Sequence, residues 1–267
     1  MTATRTKPSA NLTRPSVFDR ILIGVDGGKL SFDACRQAAL LAYPEAFVEA
    51  ATVTLFPPET AAALGVRDLA ARLEETAGSS LLAAQQILGP HAELRRLEGI
   101  TVDTLLEEVK RIRATLLAIG APEHPRVEEI VFGGVGGELL HQARCSVLLA
   151  RPAPDEASFP RSIVVGLDGS EQSERAFDVA RDIAARRHSA LHGVVALGGK
   201  RVPLGAIAKR HRGVQTYPAH AVPALVEASE CADLLVVGSR GLHGPRALGS
   251  VSERVAHSAP CSVLVIR

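Results

Sequence analysis

The chain has 267 residues, and its 30 lysines and arginines nearly balance its 29 aspartates and glutamates. Charges of both signs are interspersed, so there is no basic stripe for nucleic acid, and no apolar run approaches the about 18 residues of a membrane-spanning helix. We therefore predict a soluble, cytoplasmic protein without a nucleic-acid or membrane partner. The length suits two domains of about 100 to 150 residues each.

The N-terminal segment and the cysteines indicate no site. Residues 1–18 are polar and basic and lack the apolar stretch of a secretory signal, which predicts a disordered lead-in. Cys35, Cys145, Cys231 and Cys261 form no C-x-x-C pair. We expect all of these thiols to be buried and reduced, with no metal or disulfide role.

The sequence contains an internal duplication. The segment ILIGVDGG at residues 21–28 returns as IVVGLDGS at residues 163–170, and HQARCSVLLAR at residues 141–151 returns as HSAPCSVLVIR at residues 257–267. A repeat of this kind indicates two copies of one structural unit. Each copy can therefore be compared with the other.

The two copies differ in length mainly at one place. We assign copy one to residues 19–151, a proline-containing linker to residues 152–160, and copy two to residues 161–267. The aspartates Asp26 and Asp168, which follow the first strands, are 142 residues apart, whereas the glycines that end the fourth strands are 118 apart. Copy two has therefore lost 24 residues between these points.

Short apolar runs alternate with helical patterns along copy one. The runs are bounded by turn residues and predict strands. The segments between them carry apolar residues at helical spacing and are predicted to be helices. The predicted strands are residues 20–25, 47–55, 92–97, 115–119 and 146–150, and the predicted helices are residues 32–42, 68–88, 102–111 and 135–142.

Copy two repeats this pattern in a shorter form. The missing residues correspond to the long helix at 68–88, and segment 197–213 has room for about two helical turns in its place. We expect one face of the second sheet to be thinly covered. The predicted strands are residues 162–167, 190–196, 213–216, 233–237 and 262–266, and the predicted helices are residues 173–187, 223–229 and 251–258.

The order of these elements predicts the fold class. Alternating strands and helices indicate an α/β protein with a doubly wound parallel sheet in each of two tandem domains, the second lacking most of the second helix. Such sheets bind ligands beyond the carboxyl ends of their strands, where the strand order reverses. Each copy also ends in an apolar strand, SVLLA or SVLVI, that needs a partner. We predict that these two strands pair with each other.

A glycine-rich loop follows the fourth strand of copy two. Glycines let backbone N–H groups approach an anion, and a helix N-terminus adds unpaired donors and a positive dipole. This pattern favours a phosphate-binding loop, although a flexible surface loop whose Ser250 only caps the helix would have the same composition. The loop carries Gly238, Arg240, Gly241, Gly244, Arg246, Gly249, Ser250 and Ser252.

The pattern from LDGSEQSERAFDVA through ADLLVVGSRG to LGSVSERVAHSAPCSVLVIR resembles the universal stress protein family. The resemblance covers nearly all of residues 20–267 as two tandem domains. It implies five-stranded domains with strand order 3-2-1-4-5 that pair through their fifth strands. Many members bind ATP with an aspartate after the first strand and a glycine loop after the fourth.

The resemblance also implies roles for residues of copy two. Asp168 would lie beside the adenosine, with Gly169 and Ser170 turning the chain around it, and a backbone group near Val195 would contact the adenine edge. The implied ligand is ATP or a related adenine nucleotide, with or without Mg²⁺. The residues implied to surround the ribose and phosphates are Gly238, Arg240, Gly241, Gly249, Ser250, Val251 and Ser252.

Each copy departs from the family pattern. In copy two, seven residues instead of nine separate Gly241 from Gly249, which makes the loop tighter. In copy one, Glu123 stands in place of a glycine and Gly134 in place of a serine. The copy-one loop also carries further acids, which would repel a triphosphate. We therefore expect weak or no ATP binding in copy one and regard it as a scaffold.

The sequence leaves two functions open. The first is an adenine-nucleotide-binding stress-response or regulatory protein with its site in copy two; the alternative is a structural or interaction protein of the same family that binds no nucleotide. No general base is evident, and His243 is the one candidate for slow ATP hydrolysis. The sequence does not identify a protein partner, and it leaves the oligomeric state open between a monomer and a homodimer.

Overall fold

All strands that the structure describes form one continuous sheet. The computed structural model describes residues 18–55, 60, 67–121, 134–199, 202–239 and 250–267. The strands are β1 Arg20–Gly24, β2 Phe47–Thr54, β3 Glu93–Glu98, β4 Leu116–Gly120, β5 Ser146–Ala150, β6 Ser162–Gly166, β7 Ala190–Ala196, β8 Gln215–Tyr217, β9 Leu234–Gly238 and β10 Ser262–Ile266. The helices are α1 Lys29–Leu41, α2 Arg67–Leu88, α3 Thr101–Ile112, α4 Val135–Gln142, α5 Glu171–Arg187, α6 Leu204–Arg210, α7 Ala221–Ser229 and α8 Ser250–Ser258.

The strand order confirms the predicted fold class. The ten strands run β3-β2-β1-β4-β5-β10-β9-β6-β7-β8, so each copy has the order 3-2-1-4-5 and the two halves mirror each other. Neighbouring strands within a copy are parallel. The second copy also lacks most of the second helix, because α6 has 7 residues where α2 has 22.

The two halves of the sheet join through β5 and β10, which pair antiparallel with Leu148 opposite Leu264. Every residue of both strands is buried. Each strand would be an apolar edge by itself, and their pairing satisfies the backbone groups of both. The domain boundaries given above stay a prediction.

A separate hydrophobic core lies on each face of the sheet. Successive side chains of a strand point to opposite faces, so Ile21 and Ile23 enter one core while Leu22 enters the other. Both cores contain residues of both copies; Leu148 and Leu264, for example, share the first. The tandem domains therefore share their packing.

Two arginines, the buried Arg151 and the partly buried Arg267, link the copies at this junction. The Arg151 guanidinium donates to the carbonyls of Ala256 at 2.6 Å and Cys261 at 3.0 Å, in and just after α8. Arg267, its counterpart in the repeat, donates to the carbonyl of Leu140 in α4. Each copy thus supplies a cation to the last helix of the other, where unpaired carbonyls and the helix dipole favour positive charge.

The linker side of the molecule adds further contacts between copies. The Tyr43 hydroxyl donates to Asp182 at 2.8 Å, and Arg186 lies over the Tyr43 ring while donating to the carbonyls of Leu41 and Ala42. Arg186 in α5 therefore binds the C-terminal end of α1. These contacts fix helices of the two copies against each other.

The short helix α6 covers part of the face of copy two that lacks a long helix, while Leu191 and Val214, which pack against the same core, stay partly exposed. Ile207 of α6 is 1% exposed and packs in the core beside Leu167 and Val195. The thin cover of this face, expected from the missing helix, stays a prediction.

The prediction that all cysteines are buried is wrong for Cys231. Cys35, Cys145 and Cys261 are buried and free, and burial raises the pKa of the Cys261 thiol to about 11. Cys231 is exposed because it lies in the turn after α7, outside the core. Its neighbours in sequence are polar or small, so the spacing of apolar residues did not indicate whether Cys231 is buried.

Candidate functional site

The carboxyl ends of β6 and β9 form the switch point of copy two. β6 has β9 on one side and β7 on the other, so the chain leaves neighbouring strands in opposite directions. Asp168 follows β6, and Gly238 ends β9. Doubly wound sheets carry their ligand sites at such points.

Asp168 is held in a fixed position by the start of α5. Its Oδ1 accepts hydrogen bonds from the Ser170 N–H at 2.9 Å and the Ser170 hydroxyl at 2.6 Å. Desolvation acts to raise the pKa of Asp168, but the hydrogen bonds from Ser170 and Ser173 outweigh it and hold the pKa below its ordinary value. The site therefore presents an ionised, oriented carboxylate on an exposed residue.

Ser170 also caps α5. Its hydroxyl oxygen accepts the Ser173 N–H at 3.2 Å, while Ser173 donates its own hydroxyl to the Ser170 carbonyl. This arrangement pairs one of the free donors at the helix start. The sequence LDGS thus has a local structural role in addition to the role that the family resemblance implies.

Gly238 lies against the first turn of α5. A Cβ atom at this position would lie 2.5 Å from the Gln172 carbonyl oxygen. Ser252 is 6% exposed and donates its hydroxyl to the Gly238 carbonyl at 2.8 Å. The glycine and the serine therefore join β9, α5 and α8, and the Ser252 proton is engaged within the protein.

Gly169 and Val195 are also engaged by neighbouring residues. Gly169 has φ +82°, which favours glycine, and a Cβ there would lie 2.6 Å from Pro203 Cγ. Pro203, which precedes the short helix α6, thus covers one side of this loop. Val195 is paired with Thr216 inside the sheet.

The remaining predicted residues are only partly within the described structure. Val251 is half-buried in α8 and packs against the second core. Ser250 begins α8, and only its backbone is described. Arg240, Gly241, Gly249 and His243 lie outside the described residues, as do the copy-one loop residue Glu123 and its neighbours.

Copy one has a cavity of about 490 Å³ at the equivalent carboxyl edge. Its floor is the ends of β1 and β4, and α2 forms one wall. Sequence reasoning expected weak or no ATP binding at this edge. It did not identify the hydroxyl groups, although hydroxyl residues spaced two apart on β2 and four apart on α2 mark one face of each element. The hydroxyl and carboxylate residues that line it are Asp26, Ser31, Thr52, Thr54, Thr76, Ser80 and Thr101.

Copy one contains a buried carboxylate that does not line the cavity at the carboxyl edge. Glu49 of β2 is fully buried, and Arg111 Nη2 lies 2.5 Å from its Oε2 and 2.6 Å from Glu108 Oε1. Burial raises the pKa of Glu49 to about 7, with Glu108 adding to the increase. This cluster holds α3 on β2 and takes no part in the site.

The histidines shared by the repeats lie between α4 and α8. His141 Nε2 is 2.9 Å from Glu253 Oε1, whereas its counterpart His257 faces Gly137, the repeat equivalent of Glu253. A Cβ at Gly137 would lie 3.8 Å from His257 Cε1. Burial lowers the pKa of His257, against an opposing effect of Glu253.

Within the described ranges, no group of three or more histidine, cysteine, aspartate or glutamate side chains is placed to hold a metal ion. In the same part of the chain, no helix combines the length and the apolar character needed to span a bilayer.

The fold and the position of the edge sites define a tandem α/β protein with one switch point in each copy. The sequence model of the universal stress protein family matches residues 18–151 and 200–267. The chain therefore belongs to the universal stress protein family. This confirms the resemblance drawn from the sequence motifs.

Known proteins agree with this assignment. A universal stress protein of Mycolicibacterium smegmatis is 31% identical over 290 aligned positions, which cover 92% of this chain and 96% of the relative. One of Mycobacterium tuberculosis is 32% identical over 206 positions, covering 66% of this chain and 68% of the relative. The crystal structure of a universal stress protein from Archaeoglobus fulgidus has a TM-score of 0.69 and 17% identity, covering 93% of this chain and 96% of that one. This last similarity concerns the fold.

Proposed function

We propose that the protein is a cytoplasmic, adenine-nucleotide-binding regulatory protein whose site is the carboxyl edge of copy two. The observation that carries the proposal is the oriented carboxylate of Asp168 at the switch point, held by two hydrogen bonds from Ser170. A fixed acceptor at this place suits the hydroxyl groups of a ribose.

The start of α8 supplies the second part of the proposed site. This helix begins at Ser250, after the glycine-rich segment, and its dipole and first N–H groups favour an anion. Ser252 fixes the helix to the end of β9 through its bond to Gly238. In the proposal, Asp168 contacts the ribose and the start of α8 contacts the phosphates.

A second candidate is a family member that binds no nucleotide and acts as a scaffold or interaction protein. It is favoured by the same contacts that explain Gly238 and Ser252 without a ligand. Because Gly238 is required to accommodate Gln172, its presence does not by itself indicate a nucleotide.

Isothermal titration of ATP, with and without Mg²⁺, separates these two functions. We expect saturable binding to the wild-type protein and at least tenfold weaker binding to Asp168→Asn and to Gly249→Asp, which adds a negative charge to the loop. Asp178→Asn removes one charge from an exposed residue of α5 and is the matched control. No saturable binding at millimolar ATP would support the scaffold function instead. Equal affinities of Asp168→Asn and the control would refute a site at Asp168 and leave ATP binding elsewhere in the chain.

A further inference from the structure

We infer that His211 is a positioning residue for the proposed site of copy two: it attaches α6 to the loop after β6 and so holds the Asp168 carboxylate in place. The inference rests on the proposed function, because Asp168 is the ligand-binding group named there. It adds a means of regulation, since histidine is the side chain that changes charge near neutral pH. Three observations support it: the contacts at the two ends of α6, the bond made by His211, and the comparison with copy one.

The two ends of α6 contact the two ends of the segment that orients the carboxylate. Pro203 caps the N-terminus of α6 and covers Gly169, where a Cβ would lie 2.6 Å from Pro203 Cγ. His211 caps the C-terminus and contacts Glu174, whose N–H donates to the Ser170 carbonyl at 3.0 Å in the first turn of α5. The position of α6 therefore restrains residues 169–174 at both ends.

His211 makes the directed bond of this attachment. It is 8% exposed, its Nε2 lies 3.0 Å from Glu174 Oε2, and its ring centroid lies 4.0 Å from that of Phe177. Arg210 Nη1 lies 3.3 Å from the other carboxylate oxygen, Glu174 Oε1, but does not have hydrogen-bond geometry to it. The hydrogen bond between α6 and the first turn of α5 is therefore that of His211.

The charges around His211 make this attachment sensitive to pH. Glu174 of α5 and Arg210 of α6 form the ion pairs of the cluster. The charged residues next along these two helices are all exposed to solvent: Glu171, Arg175, Asp178, Arg181, Lys209 and Arg212. A protonated histidine makes a charge-assisted hydrogen bond to a carboxylate, which is roughly twice as strong as a neutral one. Proton loss from His211 is therefore expected to weaken the attachment, while Arg210 keeps part of the attraction.

The comparison of the repeats shows that this arrangement is specific to copy two. The repeat equivalent of Glu174 is Phe32, which offers no carboxylate. The loop of copy one is covered by Ser80 of α2, a helix of 22 residues, against which a Cβ at Gly27 would clash. The helix α6 has 7 residues and buries Ile207 alone among them. A helix this short depends on tertiary contacts, so the bond of His211 is a large part of what fixes it.

ATP titrations at about pH 6 and about pH 8 test the inference. His211→Gln keeps a hydrogen-bonding side chain that cannot be charged, and His91→Gln makes the same replacement at an exposed histidine in a turn of copy one. We expect His211→Gln to bind ATP at least fivefold more weakly than His91→Gln at about pH 6 and less than twofold more weakly at about pH 8. Protonation of ATP itself cancels, because the two variants are compared at each pH.

A measurement without ligand separates the attachment of α6 from nucleotide binding. Relaxation of ¹⁵N nuclei gives the order parameters of the Gly169 and Ser170 amides, which are about 0.85 in rigid backbone and below about 0.6 in flexible backbone. We expect His211→Gln to lower both values relative to His91→Gln at about pH 6. Pro203→Ala removes the ring carbon that lies over Gly169 and is expected to lower them at both pH values.

Three results would overturn the inference: order parameters of His211→Gln equal to those of His91→Gln, equal ATP affinities of these two variants at about pH 6, or a ratio of their affinities that does not change with pH. Failure of the proposed function gives a different result. If the wild type bound no ATP while the order parameters fell in His211→Gln, the proposed function would be wrong and the positioning of Asp168 by His211 would stand.

Discussion

Replacing Arg151 with methionine tests how the two copies hold each other. Arg151 is 2% exposed, and its guanidinium donates to the carbonyls of Ala256 and Cys261 at the end of copy two. Methionine keeps most of the apolar stem but removes the charge and these donors. We therefore expect Arg151→Met to weaken the attachment of α8 to copy one and to lower the free energy of unfolding.

The size of the effect follows from these contacts. Hydrogen bonds from a charged group contribute about 1.5 to 3 kcal/mol each, and the cost of burying the guanidinium of Arg151 offsets part of the two together. We expect a net loss of about 3 kcal/mol, a large part of a typical stability of about 5 to 15 kcal/mol. For a protein of this size the loss corresponds to a Tm lower by roughly 6 to 12 °C.

Urea unfolding followed by circular dichroism measures the loss. Arg175→Met is the matched control, because Arg175 is half exposed and its nearest carboxylate contact is a 4.0 Å pair with Glu171 on the same helix. We expect this control to lie within about 0.5 kcal/mol of wild type. If Arg151→Met were as stable as Arg175→Met, the arginine link would contribute nothing to the union of the copies.

Three further changes test individual contacts. Gly238→Ala puts a Cβ 2.5 Å from a carbonyl oxygen and is expected to lower the free energy of unfolding by about 1 to 3 kcal/mol without any ligand. The control Gly205→Ala meets nothing within 4 Å and is expected to be neutral or stabilising. Equal urea midpoints of the two variants would refute the packing role of Gly238. The pKa of Glu49 is about 7 in the native state against an ordinary 4.5. Between these pH values the native state keeps a proton that the unfolded state loses, so the contribution of Glu49 to the free energy of unfolding falls as pH rises from about 4.5 to about 7. Glu49→Gln is therefore expected to stabilise the protein relative to wild type more at pH 8 than at pH 5, which thermal unfolding at the two pH values measures. The stability difference between variant and wild type is expected to change by of order 2 kcal/mol between these pH values, and a difference independent of pH would contradict this. Gly137→Glu is expected to repeat the ion pair of the other histidine and raise the pKa of His257 in an NMR titration; an unchanged pKa would show that the glutamate does not reach the ring.

The local patterns of the sequence were sufficient to predict the elements and their order. Buried strands appear as short apolar runs between turn residues, and helices appear through the spacing of their apolar residues. Predicted boundaries such as residues 115–119 for β4 and residues 102–111 for α3 differ from the structure by one residue at each end. The duplication then showed which helix copy two had lost, because that loss is a difference in length.

The candidate site was less accessible to the same reasoning. The motif LDGS identified Asp168 and Ser170, whose bonds form within a few residues of sequence. The role of Gly238 depends on Gln172, in another element, and was not visible from the loop composition. The copy-one cavity combines hydroxyls of β2 and α2, which are separate in sequence and meet only in the folded chain.

The sequence by itself determined the repeat, the class of fold and the family, because each depends on local spacing and composition within one segment or on a comparison between two. Only the tertiary structure decided what those segments do for one another. It showed that Arg151 and Arg267 each bind the last helix of the opposite copy. It also showed that the larger helix of copy one lines a cavity where copy two places Pro203. These contacts join residues far apart in the chain, and their distances and directions exist only once the sheet has formed.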